Sequence, residues 1–272
     1  MSYREDLNPE HLLRIKNETL KILARRGYII NDPESLTMSA ADFARNLENK
    51  AKIANTDSKA SVMIPQLYIR SKKSKPTYRT LISNVYEYAE DRTKLFLVYF
   101  ADMRDIASKS VPIDEAKDFS QLYSELGCKG GMFISYGNLS TPATQYIREI
   151  SFADLEVKDE DASYIQNFIQ IFKDSELLYD PLTHIWASRF EIVPISIVRK
   201  LKEEKSITPS QFPKMCYDDP IAKRLGLRPG NVVKCYRHHI VSDSMVNSSI
   251  TYLQIKAPPT RKKERTEKKE KA

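Results

Sequence analysis

Asp219-Pro-Ile-Ala-Lys-Arg-Leu-Gly-Leu-Arg-Pro-Gly-Asn-Val-Val-Lys-Cys-Tyr-Arg237 carries a helix start, a helix stop, a tight turn and a strand in one short stretch. Asp219 is a capping residue, and Pro220 follows where a missing backbone N–H costs nothing. Gly226 stops that helix after less than two turns. Arg228-Pro229-Gly230-Asn231 puts proline and glycine at the two central positions of a type II turn. The turn feeds a strand, Val232 to Val241, which returns through Ser242-Asp243-Ser244 into Ile250 to Ile255. Upstream, Glu191-Ile-Val-Pro194 is a short extended piece that Pro194 ends or holds at a sheet edge. These elements predict a small α+β module over 179–257, bounded near Tyr179 and followed by a tail over 258–272.

The preceding half, 1–178, has a different rhythm. Leu95-Phe-Leu-Val-Tyr-Phe100 is a continuous apolar run, as expected for a strand buried on both faces. Asp114 is placed to cap a helix in which Phe119, Leu122, Tyr123 and Leu126 recur at helical spacing, with Gly127 as the stop. Gly131-Met-Phe-Ile-Ser-Tyr136 reads as the next strand, and strand–helix–strand at this length predicts parallel neighbours joined by a right-handed crossover. Thr141-Pro142 restarts a helix through Ile150. A further strand is expected at Ile169-Gln-Ile-Phe172, after a charged, insertion-like stretch from Glu156 to Asp161. Near the start, Asn8 caps a helix with Pro9 in its first turn, an apolar stripe through Leu12, Ile15, Thr19 and Ile22, and Gly27 at its end. Ser39-x-x-Asp42 is a second helix start, and the polar stretch from Glu48 to Ser61 reads as a loop or weak helix. The fold class is therefore an α/β domain followed by a smaller α+β domain.

Composition narrows the functions. Seven glycines are present and none lies between Gly27 and Gly127, which excludes a G-x-x-x-x-G-K-[ST] loop and a G-x-G-x-x-G fingerprint. Cys128, Cys216 and Cys235 are odd in number and form no C-x-x-C pair, so they suit a reducing compartment and read as buried small apolar residues. The charged start lacks the apolar core of a signal peptide, and the longest apolar run, Leu95 to Ala101, is too short to span a bilayer. An intracellular protein with no membrane partner is expected. Net charge is +7, of which the tail from Arg261 supplies seven basic and three acidic residues. That tail reads as a solvated appendage, with nucleic-acid contact as the sharper alternative. A second basic run, Arg70 to Arg79, reads either as a solvated loop or as one meeting phosphates through Lys72, Lys73 and Lys75.

Catalytic constellations are weak. His11, His184, His238 and His239 lack partners at metal spacing, and adjacent strand histidines point to opposite faces. No G-x-S-x-G elbow occurs. Glu115-Ala-Lys117 and Glu156-Val-Lys158 resemble the carboxylate-x-lysine triplet of metal-dependent nucleases, but Glu115 suits a helix first turn and Glu156 a charged stretch where such triplets arise by chance. No cofactor and no metal are expected.

From Phe212 to Arg237 the chain resembles the assembly domain of the fifth subunit shared by nuclear RNA polymerases, a domain that makes up the whole of the archaeal counterpart. The family pattern D-P-x-A-x-x-L-G-L-x-x-G-x-V-V-K-I-x-R is matched at Asp219, Pro220, Ala222, Leu225, Gly226, Leu227, Gly230, Val232, Val233, Lys234 and Arg237. Glu191-Ile-Val-Pro194 matches the family's E-L-V-P. More loosely, Arg26-Gly27-Tyr28, Gly131 to Ala143 and Phe172 to Leu178 resemble the jaw domain of the eukaryotic-type polymerase component. After Arg237 the family's serine-glutamate-threonine and glycine-arginine-tyrosine elements are missing, and the tail from Arg261 is extra. Such divergence suits a large DNA virus or a fast-evolving eukaryote.

The resemblance implies a non-catalytic polymerase subunit whose nuclease-like jaw domain has no nuclease site and lies beside downstream duplex DNA. It implies docking on the largest subunit, beside the other core subunits, through Pro194, Asp219, Pro220, Gly226, Pro229, Gly230, Val232, Val233, Lys234 and Arg237. Thr141 and Pro142, with Lys72, Lys73 and Lys75, are the expected DNA-proximal residues, making non-specific phosphate contacts. The implied location is the nucleus, or the cytoplasmic factory or virion of a virus. A free-standing transcription regulator and a metal-dependent nuclease are the other readings.

Overall fold

The computed structural model describes residues 8–30, 36–56, 77–102, 110–153, 169–184, 187–206, 211–242 and 245–256. They fall into two compact units, one drawn from residues up to 153 and from 169–180, the other from 181–256. The charged stretch from Glu156 to Asp161, the lysines Lys72, Lys73 and Lys75, and the basic tail lie outside the described residues.

In the first unit, helix α1 (Pro9–Arg25) opens where Asn8 accepts a hydrogen bond from the Glu10 N–H at 3.1 Å, as the sequence predicts. Its buried stripe includes Leu12, Ile15, Ile22 and Leu23. Thr19 joins that stripe because its hydroxyl donates to the Ile15 carbonyl at 2.7 Å, leaving the hydroxyl satisfied. Helix α2 (Ala40–Thr56) starts as the sequence predicts, with Ser39 Oγ accepting from the Asp42 N–H. It continues to Thr56, so the described part of the polar stretch from Glu48 takes the helical of the two expected forms, and residues 57–61 lie outside the described residues.

A short helix α3 (Tyr78–Ile82) and strand β1 (Asn84–Glu87) precede β2 (Leu95–Phe100). Then come β3 (Ser110–Val111), α4 (Ile113–Glu125), β4 (Gly130–Ser135), β5 (Asn138–Leu139), α5 (Thr141–Ala153), β6 (Ile169–Lys173) and α6 (Asp174–Leu177). The main sheet runs β1-β2-β4-β6, with β1 antiparallel to β2 and both β2–β4 and β4–β6 parallel. The expected parallel pairing of the two apolar strands is thus present. A separate parallel pair joins β3 to β5. The start of α4 differs from expectation. Pro112 occupies the cap position and Asp114 lies inside the first turn, since the chain already turns helical at Ile113.

One face of the sheet packs Leu97, Tyr99, Phe133 and Ile169 against Phe119 of α4 and Ile147 of α5. Phe119 meets Phe133 edge-on with ring centres 5.4 Å apart, a geometry worth about 0.5–1.5 kcal/mol beyond its buried area. Gly131 lets these layers approach. A Cβ there would sit 3.1 Å from the Phe119 ring and 3.3 Å from the Leu97 carbonyl. On the opposite face, by strand alternation, Phe96, Val98 and Phe100 are buried, and Tyr28 packs on Phe96 at 4.8 Å.

Arg79, the last residue of the basic run, has no exposed surface and so departs from the solvated or phosphate-facing reading, while residues 70–76 lie outside the described residues. Helix α3 is fixed by reciprocal bonds between Thr77 and Thr80, which aim Arg79 across the carboxyl ends of β2, β4 and β6. Its guanidinium donates to both Asp174 carboxylate oxygens at 2.6 and 2.8 Å, and its Nε donates to the Ala101 carbonyl at 2.8 Å. His11 Nε2 lies 3.2 Å from the same carboxylate.

In the second unit, a 3-10 turn (Pro181–Thr183) leads to β7 (Arg189–Ile192) and α7 (Ile195–Lys205). Strand β8 (Lys214–Cys216), helix α8 (Pro220–Leu225), β9 (Val232–Ser242) and β10 (Met245–Lys256) follow. The sheet order is β7-β9-β10-β8, antiparallel except for the parallel β8–β10 pair. Helix α7 and strand β8 were not anticipated, and β10 begins at Met245 rather than Ile250. The long β9–β10 ladder carries the weakly apolar residues before Ile250 into the sheet.

The cysteines also depart in part from expectation. Cys128 and Cys235 are buried, whereas Cys216 is exposed at the outer strand β8. Burial pushes the Cys128 thiol up to about 11. A thiol-specific chromogenic reagent at pH 8 should therefore modify Cys216 rapidly, and the other two only after denaturation. Arg79→Ala should cost about 3–5 kcal/mol in urea unfolding, because it leaves the buried Asp174 carboxylate with His11 as its one remaining side-chain partner among the described residues. The Arg79→Met/Asp174→Leu double variant should recover most of that loss.

Candidate functional site

The stretch that decides the fold of the second unit also builds a surface held by several backbone hydrogen bonds. Asp219 caps α8 by accepting from the Ile221 N–H at 2.8 Å, Pro220 fills the first position, and Gly226 ends the helix. The turn Arg228–Asn231 is closed by the Asn231 N–H donating to the Arg228 carbonyl at 3.1 Å. Gly230 has φ +95°, the left-handed backbone that the third position of a type II turn demands. Three more bonds clasp the turn. The Asn231 side chain accepts from the Arg228 N–H at 2.8 Å, Gly230 N–H donates to the Ile255 carbonyl at 2.9 Å, and Ile255 N–H donates to the Asn231 carbonyl at 2.8 Å.

The expected docking residues divide by burial. Val232, Val233 and Gly226 are buried and shape the surface only through the backbone they position. Pro194, Pro220, Gly230 and Arg237 are exposed, while Asp219, Pro229 and Lys234 are half-buried. Pro194 ends the extended piece and also stands at the cap position of α7. The bond from the Val193 N–H to the Val232 carbonyl, at 2.9 Å, ties that piece to the start of β9.

Strand alternation leaves a second surface on this sheet, of which the motif marks Lys234 and the E-L-V-P piece Glu191. Val233 and Cys235 face the core with Leu253 and Ile255, so Lys234 and Tyr236 face the other way. Across the strands, Arg189, Tyr236 and Ile250 share one row, and Glu191, Lys234 and Tyr252 the next. The Tyr236 hydroxyl donates to Glu191 at 2.7 Å, and the Arg189 guanidinium lies 5.7 Å from the Tyr236 ring centre. The Lys234 ammonium is 4.8 Å from that ring, and its bond to the Tyr236 side chain holds it above the ordinary lysine value. Phe212 stacks on Tyr252 at 5.7 Å. The period-two pattern Val233-Lys234-Cys235-Tyr236 is the sequence signal for this face.

In the first unit, Thr141 and Pro142 are exposed at the start of α5, where Ser140 Oγ accepts from the Ala143 N–H at 3.3 Å. Lys72, Lys73 and Lys75 lie outside the described residues, so they cannot be placed beside that helix start. The carboxylate-x-lysine triplet at Glu115 does not converge. Glu115 is buried and accepts from the Tyr99 hydroxyl at 2.9 Å, whereas Lys117 is exposed and lies 3.7 Å from Asp114. The second triplet, at Glu156, lies outside the described residues. Among the described residues, no group of three or more His, Cys, Asp or Glu side chains could hold a metal ion.

Comparison with known proteins falls on the second unit. Residues 179–252 match the family described as RNA polymerase Rpb5, C-terminal domain. The DNA-directed RNA polymerase subunit Rpo5 of Sulfurisphaera tokodaii is 33% identical over 72 residues, covering 26% of this chain and 86% of the relative. The protein of the same name from Sulfolobus acidocaldarius is 32% identical over 76 residues, 28% of this chain and 86% of its own. That of Metallosphaera sedula is 28% identical over 74 residues, 27% of this chain and 89% of its own.

Nothing lies within 4 Å of where a Cβ on Gly230 would sit, so replacing it strains the backbone without a clash. Gly230→Ala should destabilise the second unit by about 1–3 kcal/mol. Gly230→Asn should cost less, because asparagine tolerates left-handed backbone better. Thermal unfolding of the two variants checks both expectations.

Proposed function

The chain belongs to the RNA polymerase Rpb5 family, and on that premise we propose that it is a non-catalytic subunit of a multisubunit DNA-directed RNA polymerase. The observation that carries this reading is the coincidence of the family match, residues 179–252, with the clasped turn and sheet of the second unit. In this reading the second unit docks on the largest polymerase subunit. The exposed residues Pro194, Pro220, Gly230 and Arg237 meet the partner, over a backbone that Val232 and Val233 hold from beneath. Rigidity favours such docking, since a turn fixed before binding loses little conformational entropy on association. Strand β7, at one edge of the sheet, offers backbone groups for pairing with a partner strand.

The first unit then serves as a jaw beside downstream duplex DNA, with a nuclease-like fold and no nuclease chemistry. Support comes from its parallel β2-β4-β6 arrangement and from Glu115, whose bond to Tyr99 employs it inside the core. DNA contact near Thr141 and Pro142 would be to phosphates and sequence-independent, with the other basic residues adding long-range attraction. The proposed location is where such a polymerase works: the nucleus, or a viral factory or virion for a viral enzyme.

The test is to tag the chain, purify it from its source in about 0.5 M salt and identify what stays bound. At that salt the screening length is roughly 4 Å, so association through phosphates alone is stripped. Stoichiometric large polymerase subunits are the expected result. A bare chain overturns the reading in favour of a free-standing regulator. Gly230→Ala should lower the recovery of polymerase, because it loosens the docking surface.

A further inference from the structure

We propose that the outward face of the β7-β9-β10-β8 sheet is a binding platform for single-stranded nucleic acid. The face carries Lys234 of the family motif and Glu191 of the E-L-V-P piece, whereas its aromatic residues Tyr236, Tyr252 and Phe212 stand at positions that the motif leaves open. Three aromatic rings lie on this face, namely Tyr236, Tyr252 and Phe212. Tyr236 and Tyr252 are diagonal neighbours on adjacent strands, a spacing of about 7–8 Å between backbones. Ile250, in the same row as Tyr236, is 52% exposed, so the face is open beside the rings.

Charge selects the occupant. By alternation, Arg189, Lys234, Lys214 and Lys256 lie on the same face, and among the described strand residues of that face the one acid is Glu191, which accepts the Tyr236 hydroxyl. Two of these cations sit beside the Tyr236 ring itself, at 5.7 and 4.8 Å from its centre. A ligand complementary to this face is anionic along its length and carries flat π-faces at intervals. Single-stranded nucleic acid has both properties: each base can stack on an aromatic ring while its phosphate meets a nearby cation. A duplex hides its bases in the stack, and an acidic peptide offers charge without the π-faces. A four-stranded sheet bearing half-buried aromatics is also a geometry on which splayed bases stack without a groove.

Fluorescence anisotropy of the full chain with a fluorescein-labelled oligouridine, an oligothymidine and a duplex of equal length tests this. Wild type should prefer the single strands. Tyr236→Ala/Tyr252→Ala should weaken single-strand binding at least tenfold, since stacking is worth about 1–3 kcal/mol per base. Should that variant unfold, Lys234→Gln, at a half-exposed position, keeps the proposal open to refutation. It should weaken binding and reduce the salt slope by about 0.7, as the loss of one phosphate contact requires. The basic tail and the Lys72–Lys75 run are present in every protein compared, so a difference belongs to the sheet face. Equal binding by wild type and both variants overturns the proposal, as does a loss of duplex binding as large as the loss of single-strand binding. Loss of polymerase recovery with unchanged oligonucleotide binding also overturns it and makes the face a protein interface.

Discussion

Arg79 is a full charge without any exposed surface in the first unit, and the carboxyl ends of three strands are arranged to satisfy it. Its donors reach the carbonyl just beyond β2 and both oxygens of Asp174, just beyond β6. A buried guanidinium costs several kcal/mol to desolvate, so the geometry has to be bidentate and the remaining donors engaged. That requirement fixes where β6 must end relative to β2. It also explains the tight capping of the five-residue helix that carries Arg79. Open parallel sheets commonly bind ligands at the carboxyl ends of their strands. Here an internal ion pair occupies that place.

The second unit solves a similar problem with backbone hydrogen bonds. Its turn meets β10 twice, through Gly230 to Ile255 and Ile255 to Asn231. Pro229 and Gly230 therefore protrude on a support that cannot shift without breaking ladder bonds. Burial of Val232 and Val233 on successive positions seats the start of β9 on both sides at once. Position and rigidity come from inside, while Pro194, Pro220 and Arg237 supply the outer chemistry.

Caps and turns were legible from the sequence because their physics is local. Asn8-Pro9, Asp219-Pro220 and Pro229-Gly230 each act on neighbours within a few residues, and the structure shows each in its expected role. Burial of Arg79 was not legible, since its partner Asp174 lies 95 residues away. The exposure of Cys216 likewise depends on β8 being an outer strand, which only sheet order decides. Pro194 carried a signal that served for one side only: it marks the end of an extended piece and also the start of α7. The alternation at Lys234 and Tyr236 was visible in the sequence, but which side faces outward follows from the packing of Leu253 and Ile255.

The two sheets differ in the order in which their strands can be assembled. In the first unit each new strand, β1 to β2 to β4 to β6, adds to the edge left by the one before, so the sheet can grow as the chain leaves the ribosome. In the second, the last strand, β10, lies inside the sheet between β9 and β8. Strand β8 therefore waits for its sheet neighbour until residues as late as Lys256 have emerged. A nascent chain will hold a folded first unit well before the second exists, and the motif-bearing surface becomes available only in one final step.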